Sequence, residues 1–465
     1  MKKIILLAII SSCSTPLHAT AEIVQDEVHD RTGADVVWQK ERVSQNEAVA
    51  ILQKLLKKPL TVASAVQIAL LNNRGLQARF EEIGIAKSDV IEAVTIPNPT
   101  VDFDVQFPVA SSPANRYGWL IAEDFVRILM IPLKKKIAEE QLKATQLKVA
   151  SEVLDLVANV KKAYFGIQAD QQLLGRLKII QETTAAALDL GQSQYKAGNI
   201  TDLALLQMQA SYSEGRLEIA QAEASIEEHR EDFNALLGFW GAQTDWEIKG
   251  ELAQAPGEKF SKAHLESLAV AQRLDLQAAH SNVMMRVTTL GLTKTFRWVP
   301  VLDFGSSGER DTDHALNVGP AFRIELPIFN QGQSRISRGQ SELRHASAKL
   351  EELAISIRSD VRKNRDKLAS LQSQAAFYHD DMLPTRLRIV NQGILEYNAM
   401  QFSPYQLFMA KADELRAERG YINTLRDYWM TRAELERVVG GTLNPKKPLT
   451  EDKAVVMSKK SKSKP

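Results

Sequence analysis

The sequence predicts a mostly α-helical protein with a small β part, and three features of its 465 residues carry this prediction. Long stretches contain no proline, as between Pro132 and Pro256. Four short segments alternate apolar and polar residues, which is the pattern of a strand with one face in water. The same order of features occurs twice along the chain, so we expect two similar halves.

The N-terminus has the pattern of an export signal. Lysines follow Met1 and precede the apolar run from Ile4 to Ile10, which is a basic segment followed by a short hydrophobic one. This run is shorter than the roughly 20 residues that a membrane-spanning helix needs. Two cleavage sites stay open, one after Ala21, which would remove residues 1–21, and one before Cys13, which would remove residues 1–12.

Cys13 is the only cysteine of the chain. It follows Ile10-Ser11-Ser12, and this order of one aliphatic and two small residues before a cysteine resembles a bacterial lipobox. We therefore predict lipidation at Cys13, with residues 13–59 forming an N-terminal strap.

Two repeats follow the strap. Leu76-Gln77-Ala78 recurs as Leu276-Gln277-Ala278, and Tyr195 recurs as Tyr397, so the offset stays between 200 and 202 residues. The prediction is a first repeat over residues 60–240, a linker over 241–262, a second repeat over 263–440 and a disordered basic tail over 441–465.

Each repeat is expected to begin with an amphipathic helix and to continue with two strands. The helices are predicted over residues 61–92 and 264–294. In the first strand, Val101, Phe103 and Val105 alternate with polar residues, as in a strand that is wet on one side. The four strands are predicted over residues 101–107, 117–125, 299–305 and 317–326, with turn-rich loops over 110–115 and 306–315.

Long helical hairpins should follow the strands. A continuous helix from Leu133 to Lys196 would be about 95 Å long at 1.5 Å per residue, although three interior glycines leave a broken helix open. The hairpin tips carry matching signals. Thr201 and Ser403 are suitable N-cap residues, and Asp202 and Pro404 follow them at positions that favour an acidic residue and proline.

Four strands cannot close a membrane barrel, which needs at least eight. Two copies of the chain would supply eight strands and three copies twelve, and only the larger ring leaves a lumen. We therefore expect an oligomer, for which three chains are the more useful number.

The composition indicates neither catalysis nor a bound cofactor. The 58 basic and 57 acidic residues give a net charge of +1, so nucleic acid is not an expected partner. The eight histidines are scattered and no cysteine ligand remains in the mature body. We predict no enzyme activity, no cofactor and no metal site.

Three segments resemble one known family. They are LTVASAVQIALLNN (residues 60–73), YKAGNITDLALLQMQAS (195–211) and GPAFRIELPIFNQGQSR (319–335). Together and in this order they are similar to the outer membrane efflux proteins of the TolC family, over most of residues 60–440. The resemblance implies a homotrimer, with long α-helical hairpins forming a twelve-helix periplasmic tunnel and four strands per chain contributing to a twelve-stranded β-barrel in the cell outer membrane.

The resemblance also implies partners and site residues. The protein would be a passive exit duct that docks on a periplasmic adaptor (a membrane fusion protein) and an inner membrane pump. Docking is expected at the hairpin tips, on Gly198, Thr201, Asp202, Phe402, Ser403 and Pro404.

Two departures from the family pattern concern the second tip. Tyr397 matches an aperture-gating tyrosine, but Gln406 and Met409 stand where the family has aspartates, so we expect a less polar aperture gate. Met400 stands where the family usually has glycine, so the turn there is expected to differ.

The alternative to a channel is a periplasmic coiled-coil lipoprotein that acts as an adaptor or scaffold without a barrel. The exported substrate stays open between a metal ion, a drug and a polypeptide.

Overall fold

The structure is a computed structural model and describes residues 19–38, 42–107, 115–257, 262–310 and 315–443. The chain divides into two compact units, with described parts of residues 1–78, 150–273 and 356–465 in the first and of 79–149 and 274–355 in the second. Residues 1–18, which include Cys13, and all but the first residues of the predicted tail lie outside the described residues. The domain boundaries given above stay predictions.

The described chain is mostly helical, as predicted, and its two halves have the same order of elements. Its helices are α1 (Ala19–Thr32), α2 (Arg42–Leu56), α3 (Val62–Asn72), α4 (Arg74–Val94), α5 (Phe125–Lys196), α6 (Asp202–Leu237), α7 (Lys262–Gln272), α8 (Leu274–Thr295), α9 (Gln333–Phe377), α10 (Leu383–Asn398) and α11 (Pro404–Val439). The strands are β1 (Thr100–Gln106), β2 (Arg116–Asp124), β3 (Leu302–Arg310) and β4 (Leu316–Ile324).

The first helix of each half is broken in two, whereas the sequence predicted one continuous helix. In the first half the break is at Asn73, whose ψ of 116° leaves the helical region. The Asn73 side chain stabilises both ends of the break, because its Oδ1 accepts from the Leu76 amide at 2.9 Å and its Nδ2 donates to the Leu236 carbonyl at 2.8 Å. A side chain that caps a new helix offers the backbone an alternative to continuing the old one.

The four strands form one antiparallel sheet in the order β1-β2-β3-β4. The predicted starts and ends of β1, β2 and β4 are correct to within two residues. The prediction for β3 is wrong at both ends, because the strand begins at Leu302 and continues to Arg310 through residues that were predicted as a loop. Its register with β2 places Gly308 opposite Trp119, and a Cβ on Gly308 would collide with that indole ring.

The long helix α5 is unbroken over 72 residues and passes through all three interior glycines. It begins at Phe125, eight residues before the predicted start. Asp124, the last residue of β2, accepts a hydrogen bond from the Arg127 amide at 3.1 Å and so caps the first turn. Pro132 lies inside the helix, where its missing N–H removes one backbone hydrogen bond.

Helix α9 continues into α10 through a π-helical turn at Tyr378–Met382. Pro384 follows this turn directly. A proline in a regular α-helix would clash with the carbonyl four residues before it, here that of Asp380. The wider turn, in which the Leu383 amide donates to the Tyr378 carbonyl, accommodates the ring.

The ends of the short helices are joined to the ends of the hairpins in the same way in both halves. The Asn72 side chain donates to the Leu237 and Gly238 carbonyls at the end of α6, at 3.0 and 2.7 Å. At the corresponding junction of the second half, Arg31 of α1 supplies the side-chain donors. It donates to the Gln272 and Gly440 carbonyls at 2.9 and 2.8 Å. The predicted N-terminal strap therefore contains a helix, α1, whose arginine caps two helix ends.

Ion pairs join α5 to the C-terminal end of α11. Lys161 lies 2.6 Å from Glu436, Lys162 lies 2.9 Å from Glu434, and Asp155 lies 3.1 Å from Arg437. Glu434 also pairs with Arg437 at 2.6 Å. Because these side chains are only partly exposed, their charges are less screened than those of surface pairs.

None of the described helices is both long enough and apolar enough to cross a membrane.

Candidate functional site

One face of the sheet is polar. The strand register places the residues that alternate with the apolar ones on this face. The face carries five carboxylates and two guanidinium groups, those of Asp102, Asp104, Asp124, Asp303, Glu309, Arg116 and Arg323. A cavity of about 1000 Å³ lies mainly against this face. The face is therefore wet and carries an excess of negative charge.

Both guanidinium groups lie beside carboxylates. Arg116 pairs with Glu309 across β2 and β3, and Arg323 lies 3.4 Å from Asp303 across β3 and β4. Among the described residues, neither Asp102 nor Asp104 on β1 has an ion-pair partner.

The opposite face of the sheet is apolar and exposed. Phe103 is 68% exposed, Phe304 56% and Phe322 66%, and the last two rings lie 5.2 Å apart. An exposed apolar face on a sheet whose other face is polar fits a strand pattern with lipid on one side and water on the other.

The first hairpin tip lies between α5 and α6. The Gly198 amide donates to the Tyr195 carbonyl at 2.9 Å and the Asn199 amide donates to the Gln194 carbonyl at 2.9 Å, with Gly198 at a φ of 75°. The Thr201 hydroxyl then accepts from the Ala204 amide at 3.3 Å, and Asp202 is the first residue of α6. The predicted N-cap is confirmed.

The second tip, between α10 and α11, has the same turn, so the expectation that Met400 would change it is wrong. The Met400 amide donates to the Tyr397 carbonyl at 2.9 Å and the Gln401 amide donates to the Glu396 carbonyl at 2.9 Å. Met400 adopts a φ of 58° and is the only non-glycine residue with positive φ in the described chain. The residue is 96% exposed.

The second tip is also capped as predicted. The Ser403 hydroxyl accepts from the Gln406 amide at 3.2 Å, and the Ser403 amide donates to the Gln406 side-chain oxygen at 2.8 Å. Pro404 is the first residue of α11. Phe402 is half-buried, because its ring packs against Gly393 of α10.

The predicted gate residues lie on both helices of the second hairpin. Tyr397 is on α10, whereas Gln406 and Met409 are on α11, and within the described residues no hydrogen bond joins Tyr397 to either. The Gln406 oxygen is occupied by the cap. Its role at an aperture, like those of Tyr397 and Met409, stays a prediction, and lipidation of Cys13 lies outside the described residues.

The polar residues on the sheet were not among the sequence-predicted site residues. The alternation of Asp102 and Asp104 with apolar residues marked β1 as wet on one side, but their grouping with Asp303 and Glu309 depends on the register between strands from the two halves. In the described part of the chain, no cluster of three or more His, Cys, Asp or Glu side chains could hold a metal ion.

A four-stranded sheet with one wet and one apolar face, followed along the chain by long helical hairpins, agrees with the fold that the sequence resemblance implies. Residues 133–239 match the family model of outer membrane efflux proteins, the family that the sequence resemblance predicted. The family consists of outer membrane channels with a large periplasmic part, not of enzymes.

Comparisons with individual proteins agree. The cobalt-zinc-cadmium resistance protein CzcC of Cupriavidus metallidurans is 24% identical over 396 residues, which are 82% of this chain and 90% of CzcC. The outer membrane channel CmeC of Campylobacter jejuni has a similar fold, with a TM-score of 0.70 at 15% identity over 90% of this chain and 91% of CmeC. The open state of the Neisseria gonorrhoeae channel MtrE gives 0.68 at 16% identity over 85% of this chain and 90% of MtrE.

Proposed function

We propose that the protein is the exit duct of a tripartite exporter and that it conducts substrate passively from the periplasm to the exterior. Three copies form the duct, in which twelve strands close a barrel in the outer membrane and twelve long helices continue it as a periplasmic tunnel. The chain itself carries out no chemical step.

The main observation that supports this proposal is the sheet. An apolar face and a polar face on one sheet suit a wall between lipid and water, and its two outer strands have unpaired edges within the described residues. Backbone groups on such edges must be paired in a membrane, so the sheet needs further strands to close. Twelve strands leave a lumen, whereas eight are filled by their own side chains.

The hairpin tips are proposed as the surface that docks on a periplasmic adaptor, which links the duct to an inner membrane pump. Both tips have the same backbone turn and a hydroxyl N-cap, which makes them similar in shape. They differ in their exposed side chains, since Met400 extends into solvent where Gly198 has no side chain.

Divalent metal cations are the proposed cargo. CzcC is named for resistance to cobalt, zinc and cadmium, and the polar face of the sheet carries more carboxylates than guanidinium groups. A wall with an excess of negative charge raises the local concentration of cations. Export through a wide duct requires no metal site.

Two measurements on the purified protein in detergent test the duct. Light scattering should give the mass of three chains, and addition to a planar lipid bilayer should give discrete conductance steps. A monomer that forms no channels would contradict the proposal and would favour a periplasmic scaffold without a barrel.

The cargo is tested separately in cells. A deletion strain should become sensitive to cobalt, zinc or cadmium and should keep its resistance to uncharged drugs, and the intact gene should restore growth. Sensitivity to drugs alone would contradict the choice of cargo and leave the duct unaffected.

A further inference from the structure

The turn between β4 and α9 exposes three large apolar side chains, and hydrogen bonds hold its backbone. Phe329 is 93% exposed, and Leu326 and Ile328 are exposed beside it. The Gln333 side chain donates to the Phe329 carbonyl at 3.3 Å and accepts from the Gln331 amide at 2.8 Å. Because the backbone is held, little conformational entropy is lost when Phe329 enters an apolar phase.

Two arginines flank this turn. A Cβ placed on Gly332 would lie 3.5 Å from the Cβ of Arg297 and 3.7 Å from the Nη2 atom of Arg335. The Arg297 guanidinium lies over the Trp298 ring, 4.3 Å from its centroid, and this stacking leaves the N–H donors at its edge free. Within the described residues, neither guanidinium group has a hydrogen-bond or ion-pair partner.

The turn and Trp298 lie at the end of the sheet from which the long helices continue. The Glu325 amide donates to the Val301 carbonyl at 3.3 Å, which continues the pairing of β3 with β4 towards both. Glu325 falls on the polar face of the sheet, because it alternates in the same way as Arg323. Exposed aromatic residues are common where a membrane protein meets headgroups, but two guanidinium groups without partners also call for a negative ligand.

We propose that this turn binds anionic phospholipid, with Phe329 between the acyl chains and Arg297 and Arg335 at the lipid phosphate. The inference rests on the proposed duct, which places this end of the sheet at the periplasmic leaflet, and it adds a lipid class and the site that holds it. A zwitterionic headgroup offers the same phosphate together with a cation that the two arginines repel. Basic side chains at a membrane surface therefore favour the anionic lipid.

An acidic protein segment would also supply negative charge to the two arginines. Lipid is favoured as the ligand because the exposed side chains of the turn adjoin the apolar face of the sheet, which the duct places in lipid. A single phospholipid molecule satisfies both features of the turn, since its acyl chains meet Phe329 and its phosphate meets the arginines.

Native mass spectrometry of the purified full chain tests the preference. With equal amounts of phosphatidylglycerol and phosphatidylcholine that have the same acyl chains, the wild type should retain about tenfold more of the anionic lipid. Arg297→Gln together with Arg335→Gln should bring the two lipids to within about twofold of each other. Wild-type protein that retains both lipids equally would overturn the inference without recourse to any variant.

Matched substitutions on α9 separate this site from net charge. Arg338→Gln together with Arg344→Gln removes the same charge from the following turns of the helix, where Arg338 pairs with Glu342 at 3.0 Å, and should leave the preference unchanged. An equal loss from both double variants would indicate attraction by overall charge and would overturn the assignment to the turn. The same spectra give the mass of the assembled protein, so failure to assemble is not mistaken for loss of lipid.

Two further measurements identify the ligand. Phe329→Ser should weaken the retention of both lipids and leave their ratio unchanged, because it removes only the apolar contact. An excess of inorganic phosphate should not displace phosphatidylglycerol, and displacement would indicate a site for free phosphate and overturn the inference. Trimers that form channels but show no lipid preference would overturn the inference and leave the duct standing, whereas a monomer without channels would contradict the proposed function.

Discussion

Met400 occupies a backbone conformation that costs a non-glycine residue roughly 1–2 kcal/mol. Glycine at this position would remove that cost but would lose more entropy on folding. We therefore expect Met400→Gly to stabilise the second tip by about 1 kcal/mol and to slow hydrogen exchange of the Met400 and Gln401 amides about fivefold.

The first tip provides the converse substitution. Gly198 has the same turn with a φ of 75°, so Gly198→Met should speed exchange of the Gly198 and Asn199 amides by a similar factor. Exchange that is unchanged in both variants would show that the positive φ carries no measurable strain.

The pKa of Glu434 is held below its ordinary value of 4.5. Burial alone would raise it, but hydrogen bonds and charge from Arg437 and Lys162 outweigh burial. A lowered pKa in the folded state stabilises the fold above the unfolded pKa, and this contribution is lost as the pH falls through the folded value.

This shift gives a pH-dependent prediction. Glu434→Gln should lower the unfolding temperature at pH 7 and should have progressively less effect below about pH 4. Glu247→Gln is the control, because Glu247 pairs with Lys249 while 69% exposed, and it should change little at either pH. Equal effects of Glu434→Gln at both pH values would contradict the assignment of the shift to the folded pair.

At the scale of the elements, features that depend only on residues close in sequence could be predicted from the sequence. The two N-caps at Thr201 and Ser403 depend on side chains within three residues, and both were predictable. The helix break at Asn73 was not, because its side chain is held partly by a carbonyl 163 residues later.

The error at the end of β3 also has a non-local cause. Residues 306–310 read as a turn because they contain serine, glycine and charge. They form a strand because β2 supplies partners for every one of them. The acidic face of the sheet could not be predicted either, since it requires the register between the two halves.

The π-helical turn predicts an asymmetry between two glycines on long helices. A Cβ on Gly420 of α11 would lie 2.6 Å from the Tyr378 hydroxyl and 2.9 Å from the ring carbon that bears it. We expect Gly420→Ala to destabilise the protein by about 1–3 kcal/mol through this overlap, measured as a lower midpoint of denaturant unfolding.

Two further variants make this prediction specific. Gly215→Ala on α6 meets only the end of the Gln181 side chain, which can move, so it should be neutral or stabilising by up to about 1 kcal/mol. Tyr378→Leu should recover most of the loss caused by Gly420→Ala. A loss of similar size from both glycine substitutions would show that the contact with the π-helical turn is not its cause.

At the scale of the whole molecule, charge on the polar face should determine which ions pass. Asp102 and Asp104 carry charge that no described side chain neutralises within the chain, so three copies would place six such carboxylates on the wall of the barrel. We expect the duct to prefer cations. In a tenfold KCl gradient, its reversal potential should have the sign of cation selectivity and a magnitude below the limit of about 59 mV.

Asp102→Asn with Asp104→Asn should move the reversal potential towards zero. Arg310→Gln is the matched control, because Arg310 lies on the apolar face opposite Tyr117 and should leave it unchanged. A wild-type duct that prefers anions would contradict both this prediction and the proposed cation cargo, because an acidic wall cannot attract anions.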